Sequence, residues 1–472
     1  MTTDDSRGPN ERRIKEDKLE DEKYNNDSVH YKKGIVSAKI SRFLPSRFLI
    51  KSLGPGIITG AADEDPSTIG TYSQAGAQFG FGLLWLALFQ YPMILVVQEM
   101  CARIGLVTGS GLAAIIKKKY SRKIVLAISS LILIANTINI GADIGAMAAS
   151  VKLLVPQLPA STASLSFTAF IVISQMLIPY TKYVRILKYL TISLFAYVVT
   201  AMMVGSKWEH IILSSIIPHF EFTPAFAMMF VAIFGATLTP YAFFWQASEE
   251  AEEDVAKHKI KDISSKYNSP DISKRDITLM RSDVAVGMAL SQLVMWSLIA
   301  TTGTALHNNG ITDIHTAEQA ASSLQPLVRT FPAAGEISKT IFSLGIIGTG
   351  LLAIPVLAGA SGYALSDTFG WKQGLSKTLK QANSFHVIIA ASTVIGLLIN
   401  FANIDPIKML VYSAMINGVI ASPILIAIMK IANDKMILKD KVNGKLSNGI
   451  GWMATIIMGI SVVIMLLSFE YQ

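Results

Sequence analysis

Apolar stretches recur along almost the whole chain after residue 46, and short polar segments separate them. Many of these stretches run for about 20 residues, the length that a helix needs to cross about 30 Å of hydrocarbon. A segment in lipid must satisfy its own backbone hydrogen bonds, so each stretch is predicted to be helical. We predict about eleven membrane-spanning helices, near residues 49–75, 80–106, 122–151, 162–180, 184–205, 224–248, 281–306, 336–366, 384–402, 406–432 and 449–470.

The amino-acid composition also indicates a membrane protein. Hydrophobic residues make up 51% of the chain, charged residues only 16%, and the mean hydropathy is +0.46. Soluble globular chains carry about 25% charged residues, so water is not the main solvent here. We therefore expect a multi-pass protein of the cell membrane whose main partner is the lipid bilayer, and we expect it to be a monomer.

The formal net charge of +8 does not point to nucleic acid, because the basic residues cluster in alternate loops. With the N-terminus in the cytoplasm, all clusters fall in inside loops, and the outside loops keep only isolated basic residues. This is the positive-inside pattern, and it predicts a cytoplasmic N-terminus. The clustered residues are Lys117, Lys118, Lys119, Arg122, Lys123, Lys182, Arg185, Lys188, Lys257, Lys259, Lys261, Lys266, Lys274, Arg275, Arg281, Lys372, Lys377, Lys380, Lys430, Lys435, Lys439, Lys441 and Lys445.

The first 46 residues differ from the rest of the chain, because they are rich in charged residues and asparagine and poor in apolar ones. Such a segment cannot bury enough apolar surface to fold alone. The predicted organisation is a charged, mostly disordered cytoplasmic tail over 1–46 and a transmembrane domain over 47–472. The single cysteine, Cys101, excludes an intramolecular disulfide.

A long hydrophilic loop near 249–281 divides the predicted spans into two groups. Five spans form the first group, over about 49–205, and five more, beginning with the sixth, form the second over about 224–432. An odd number of spans per group inverts the second group relative to the first, as an inverted repeat requires. The last helix, 449–470, is then an addition to the two repeats.

Two predicted spans are interrupted at corresponding places, the first span of each group. The first contains Gly-Pro-Gly at 54–56 and Asp-Pro at 65–66, and the sixth contains Thr-Pro at 239–240. Proline removes an amide donor and disfavours helical conformation in the residue before it. Paired breaks of this kind expose carbonyl groups and helix ends to a solute near the middle of the bilayer. Two ordinary proline kinks are the alternative interpretation.

Three consecutive carboxylates, Asp63, Glu64 and Asp65, lie inside the otherwise apolar first span. An acidic residue at the centre of a membrane helix costs roughly 2.5–3.5 kcal/mol, so the three must face water, a cation or a partner. We expect a cation site at Asp65, whereas Asp63 and Glu64 belong either to that site or to a water-lined vestibule.

The cation site predicted from these breaks is built only from oxygen atoms. All-oxygen sites suit hard cations such as Mg²⁺, Ca²⁺ or Mn²⁺ better than soft metals. The expected ligands are the carboxylate of Asp65, the hydroxyls of Thr68 and Thr239, and the carbonyls of Ala62 and Ala236.

Two further groups of polar residues have alternative interpretations. Asp143, with Asn136 and Asn139 at helical spacing, is either part of a proton path or a set of interhelical hydrogen bonds. The acidic run at 249–254 is either a solvated helix end or an attractor of cations to an inner vestibule. Neither a phosphate-binding Gly-Lys-Ser/Thr loop nor a nucleophile elbow is present, so we expect no enzyme activity and no nucleotide partner.

The residues at the two breaks resemble those of the NRAMP family of divalent-metal transporters. The likeness covers 54–56, 65–66 and 74–77 on the first span, recurs at 235–240 (Gly-Ala-Thr-Leu-Thr-Pro) and at 357–361. The resemblance implies a LeuT-like fold with a 5+5 inverted repeat and about eleven spans, alternating access, and import of a divalent metal, often coupled to protons. It also implies that the family's metal-binding aspartate corresponds to Asp65.

The sequence departs from the family pattern at the expected metal site. The family's asparagine is replaced by Thr68, its methionine by Thr239 and its neighbouring histidine by Tyr241, while Ala146 stands where the family has a glutamate. Loss of the thioether should weaken the preference for soft metals over Mg²⁺. Loss of titratable groups leaves proton coupling open, with Asp143 and Tyr241 as the candidate residues.

We therefore predict a divergent NRAMP-like importer of divalent cations, with Mg²⁺ or Mn²⁺ as substrate and no cofactor. An alternative is a transporter of the same fold that has lost metal transport and moves a small organic cation or an amino acid. Tyr241, Trp245 and Gln246 would then line a larger pocket. A sensor that binds a solute without transporting it is a third interpretation.

Overall fold

The computed structural model describes residues 54–177, 195–203, 208–265, 268, 270–325, 333–402 and 405–469. The predicted tail over 1–46 and most of the predicted span 184–205 lie outside these ranges, so both remain predictions. The proposed division into two repeats also remains a prediction.

The described chain is helical, with turns and two short 3₁₀ segments between the helices. The helices are α1 (Pro55–Asp63), α2 (Pro66–Phe79), α3 (Trp85–Thr108), α4 (Leu112–Lys119), α5 (Arg122–Leu154), α6 (Ala160–Leu177), α7 (Phe195–Met203), α8 (Trp208–Ile216), α9 (Pro224–Thr237), α10 (Pro240–Ala256), α11 (Lys274–Ala305), α12 (Ala317–Ser322), α13 (Ala334–Phe369), α14 (Asn383–Ile399), α15 (Pro406–Ala432), α16 (Lys435–Leu438) and α17 (Lys445–Phe469).

Among the described residues, eight helical segments are long and apolar enough to cross a membrane, and α14 is a shorter apolar helix. Large apolar side chains remain exposed on the outer helices, for example Leu177 on α6 and Leu398 on α14. Exposed apolar surface of this extent is costly in water and favourable in lipid. The predicted all-helical membrane architecture is confirmed.

The helices around the predicted long loop are longer than the sequence suggested. The sixth predicted span does not end near 248, because α10 continues to Ala256, and α11 begins at Lys274 rather than near 281. Ser273 and Asp276 form a capping box at the start of α11, with Asp276 N–H donating to Ser273 Oγ at 3.2 Å. This capping box places the start of α11 seven residues before the predicted start at 281, so the loop is shorter than predicted.

The two interrupted spans lie inside the helix bundle. The half-helices α1 and α2 both pack against α11, α9 packs against α15, and α10 packs against α3 and α13. Helices α5 and α13 pack against each other, and both also contact α2. Each break is therefore enclosed by protein, a setting in which irregular backbone is tolerated at membrane depth.

A close approach between α1 and α11 depends on three glycines. A Cβ atom at Gly56 or Gly60 would overlap the backbone of α11, and a Cβ atom at Gly287 would overlap the backbone of α1. Small residues spaced four apart allow helix backbones to touch in membranes. Asp283, one turn before Gly287, accepts hydrogen bonds from the amide of Gly56 at 2.6 Å and from that of Gly54 at 3.1 Å.

Candidate functional site

The first span is broken at the predicted place. Helix α1 ends at Asp63 and α2 begins at Pro66, which leaves Glu64 and Asp65 between them. Asp65 has extended backbone dihedrals, as expected for a residue before proline. Its Oδ1 accepts a hydrogen bond from the amide of Thr68 at 2.7 Å, so the carboxylate caps the N-terminus of α2.

The sixth predicted span is broken in the same way. Helix α9 ends at Thr237 and α10 begins at Pro240. In an unbroken helix the carbonyl of Ala236 would accept from the amide four residues later, but Pro240 has no N–H. In the first span, Pro66 likewise lacks the N–H that the carbonyl of Ala62 would need in a helix. The covalent structure of proline thus denies both predicted carbonyl ligands a helical hydrogen bond.

The two breaks meet at Asp65. Its Oδ2 accepts hydrogen bonds from the amide of Asn139 on α5, at 2.8 Å, and from the phenol of Tyr241 on α10, at 3.4 Å. The same phenol donates to the carbonyl of Ala62 at 3.2 Å. The side chains of Asp65, Asn139 and Tyr241 are all buried. The Tyr241 oxygen therefore lies between a carboxylate and a carbonyl that were both predicted as ligands.

Two oxygens beside Asp65 have no hydrogen-bond partner among the described residues. They are Oγ1 of Thr68 and Oδ1 of Asn139, both buried. Buried polar oxygens in proteins normally have a partner, and one that lacks it is a sign of a bound water or ion. Thr68 and Asn139 are thus able to accept a further contact next to the carboxylate.

The remaining predicted ligands, Ala236 and Thr239, lie at the second break. The hydroxyl of Thr239 donates to Oδ1 of Asp63 at 3.0 Å, and Ser291 on α11 donates to Oδ2 of Asp63 at 3.2 Å. Ala236 is buried in the last turn of α9. The structure therefore brings Ala62 and Tyr241 to Asp65, and it brings Thr239 to the neighbouring Asp63.

Glu64 lies in the break itself, and its side chain is only 2% exposed. Neither of its carboxylate oxygens has a hydrogen-bond partner in the described part of the chain. The described residues also contain no group of three or more His, Cys, Asp or Glu side chains arranged to hold a metal ion. A cation at the breaks would therefore have at most two such side chains as ligands in the described part of the chain, and neutral oxygens would supply the rest.

Asp143 also caps the N-terminus of α2. Its Oδ1 accepts from the amide of Ser67 at 3.1 Å, and its Oδ2 is buried without a partner among the described residues. The polar stripe on α5 serves two purposes: Asn139 contacts Asp65, whereas Asn136 donates to the carbonyl of Leu357 on α13 at 3.0 Å. Asn136 thus makes an interhelical hydrogen bond of the kind that one of the two interpretations expects.

The acidic run at the end of α10 is not a solvated helix end throughout. Glu250 and Asp254 are buried, whereas Glu249, Glu252 and Glu253 are half-buried. The run belongs to a helix that packs against α3 and α13, so two of its carboxylates face the protein. The sequence does not indicate the burial of these two carboxylates, because its pattern predicts that the helix ends near 248.

Two discontinuous helices whose breaks meet at a buried carboxylate, inside a bundle of membrane-spanning helices, define the class of secondary transporters. The family model described as "Natural resistance-associated macrophage protein-like" matches residues 56–468 of this chain. The chain belongs to the Nramp family.

A curated relative and two solved structures extend this assignment. The chain is 26% identical, over 411 residues, to the divalent metal cation transporter MntH of Klebsiella pneumoniae, and the match covers 85% of this chain and 90% of that protein. The fold is similar to that of the manganese transporter of Eremococcus coleocola, with a TM-score of 0.68 at 15% identity over 92% of this chain and 89% of that one.

The second structural neighbour is Mhp1, a transporter of the nucleobase-cation-symport-1 family, in a closed conformation. Its TM-score is 0.50 at 14% identity, over 89% of this chain and 93% of that one. Similarity at this level of identity concerns the fold alone, and it confirms the predicted LeuT-like architecture with two broken helices.

Proposed function

We propose that this chain imports divalent metal cations across the cell membrane, and that it accepts hard cations such as Mg²⁺ together with Mn²⁺. The main supporting observation is the carboxylate of Asp65, which is 1% exposed and lies at a helix break beside the carbonyl of Ala62. An ionised group at this depth needs a partner to replace its lost hydration. A divalent cation supplies that replacement.

The proposed ligand set combines one charged and several neutral oxygens. Asp65 and the carbonyl of Ala62 are joined by the Tyr241 phenol, and Thr68 has a free hydroxyl acceptor beside them. The carbonyl of Ala236 and the hydroxyl of Thr239 complete the proposed set from the second break. Thr239 donates to Asp63 in the structure, so it would turn from Asp63 towards the cation on binding.

The same set supports a preference for hard cations. Every proposed ligand is an oxygen atom, and oxygen ligands suit Mg²⁺, Ca²⁺ and Mn²⁺, whereas sulfur favours softer metals. The Klebsiella relative is a divalent metal cation transporter and the Eremococcus protein is a manganese transporter, and both support a metal as the substrate. The charge pattern of the loops supports a cytoplasmic N-terminus. We propose in addition that the protein is a monomer.

Ion-resolved uptake into proteoliposomes tests this function. The wild-type protein should take up Mg²⁺ and Mn²⁺, and Asp65→Ala should reduce uptake of both to background. The matched control is Glu336→Gln, which removes an acid whose side chain is 73% exposed, and its uptake should equal that of the wild type. Uptake that survives Asp65→Ala, or a wild-type protein that moves neither ion, would refute the proposal.

A second candidate substrate is a small organic cation or an amino acid. Three hydrogen-bond donors already reach Asp65 in the structure, from Thr68, Asn139 and Tyr241. This arrangement also suits a solute that carries its own N–H donors, which would replace some of these bonds. Thermal stabilisation of the protein by such solutes, without stabilisation by Mg²⁺ or Mn²⁺, would favour this candidate over metal transport.

A further inference from the structure

A buried polar pair, Gln246 and Glu250, lies on α10 about two turns beyond the break. Gln246 is fully buried and Glu250, one turn further along, is 4% exposed. The amide nitrogen of Gln246 donates to Oε1 of Glu250 at 3.0 Å. The carbonyl oxygen Oε1 of the same amide is buried and has no partner within the described ranges.

Most of the charged groups that act on Glu250 are acidic. They are the carboxylates of Glu253, Asp254 and Asp283, together with the ammonium of Lys257. Lys257, however, is bound to Glu253 at 2.7 Å. Among the described residues no basic group forms an ion pair with Glu250, although a buried carboxylate is costly unless it is paired.

Two of the neighbouring acids do have other partners. Asp283 accepts from the amides of Gly54 and Gly56. Asp254 lies 3.6 Å from the ammonium of Lys259. Asp283 therefore has two amide donors at a helix N-terminus and Asp254 has a nearby ammonium. Within the described ranges Glu250 has one side-chain amide donor, so it has the most to gain from a cation.

The pair also lies on the face of α10 that begins at the break. Gln246 follows Thr239 by seven residues and Glu250 follows it by eleven, so the three side chains lie close to one line along the helix. Thr239 contacts Asp63 at the break. The pair is thus the next polar position along α10 towards its C-terminal end, which the charge pattern of the loops assigns to the cytoplasm.

We propose that Glu250 and Gln246 form a second divalent-cation site on the route between the helix breaks and the cytoplasm. A half-turn of the Gln246 amide exchanges its N–H for its carbonyl and places that oxygen beside the carboxylate. Mg²⁺ in proteins is commonly held by one or two carboxylates and retains several waters. A cation leaving Asp65 then moves to another carboxylate rather than directly into water.

This inference rests on the proposed function, and binding stoichiometry separates the two. Purified full-length protein in nanodiscs is titrated with Mn²⁺ in an isothermal calorimeter. The wild type should bind two ions, Asp65→Asn and Glu250→Gln one each, and the double variant none. Gln246→Ala should keep the Glu250 site but weaken it by about tenfold or more, the usual effect of removing a partner of a metal ligand.

Glu336→Gln is the control, because it removes an acid on α13 whose side chain is 73% exposed and leaves the pair of Lys257 with Glu253 intact. It should still bind two ions. Wild-type protein that binds one ion, with that ion lost in Asp65→Asn and kept in Glu250→Gln, would overturn the second site and leave the first intact. Binding unchanged by Asp65→Asn would instead refute the proposed function. Retained binding at the other site shows that each single variant is folded.

Discussion

Replacing Asp283 by alanine should loosen the first half of the broken span. The Asp283 carboxylate holds the beginning of α1 through the amides of Gly54 and Gly56, at 3.1 and 2.6 Å. These amides belong to the first turn of a helix and have no partner within it. Without the carboxylate, α1 keeps the close packing of its glycines on α11 and, at its C-terminal end, the hydrogen bond from Ser291 to Asp63.

The size of the effect follows from the two hydrogen bonds. Bonds to charged groups contribute roughly 1.5–3 kcal/mol each, but Asp283 is only half-buried and lies near the carboxylates of Glu250 and Glu253. Solvent screening and this repulsion lower the net value. We expect a loss of roughly 2 kcal/mol, which corresponds to about a 30-fold increase in the population with α1 released.

Amide hydrogen exchange measures this population directly, because exchange follows local opening. In Asp283→Ala the amides of 54–60 should exchange about 30-fold faster than in the wild type, while those of α5 should not change. Asp283→Asn keeps one acceptor oxygen and should fall between the two. Exchange in 54–60 that is unchanged in Asp283→Ala would refute the role of this carboxylate in holding α1.

Two further predictions concern the neighbours of the break. Tyr241→Phe removes the hydroxyl that contacts Asp65 and Ala62, so the KM for Mg²⁺ and Mn²⁺ uptake should rise about tenfold with little change in the maximal rate, and an unchanged KM would contradict this. Asn136→Ala should lower thermal stability by about 1 kcal/mol without affecting KM, because Asn136 bonds to α13, whereas Asn139→Ala should raise KM. Equal effects of these two variants on uptake would contradict the assignment of Asn139 to the site.

The two breaks could be predicted from the sequence because their cause is local. A proline four residues after Ala62, and another four residues after Ala236, removes the amide that each carbonyl would need in a helix. Such effects depend only on neighbours along the chain. The lengths of the apolar stretches similarly predicted the spans, because the bilayer sets the same length for each.

The partners of the polar side chains could not be predicted in this way. The sequence gives Thr239 and Asp65 as members of one site, whereas in the structure the hydroxyl of Thr239 donates to Asp63. It also gives no reason for Ser291 on α11 to contact the same carboxylate. Both contacts depend on how helices distant in sequence are rotated against one another, and periodicity alone does not determine that rotation.

The burial of Glu250 has a different explanation. One of the two interpretations of the acidic run, a solvated helix end, follows from the expected end of the helix near 248, and α10 continues beyond that point to Ala256. The capping box of Ser273 and Asp276 marks the start of the following helix and is visible in the sequence. This pattern indicates a shorter loop between the two helices, but it does not indicate which acids are buried.

A crystal structure of the protein soaked with Mn²⁺, with anomalous diffraction recorded at the manganese edge, tests the central claim most directly. We expect a strong anomalous peak about 2.0–2.6 Å from a carboxylate oxygen of Asp65, the range of metal–oxygen bonds for such cations, with the carbonyl of Ala62 among its neighbours. A peak that persists at the breaks in Asp65→Ala, or the absence of any peak near Asp65 in the wild type, would contradict the account.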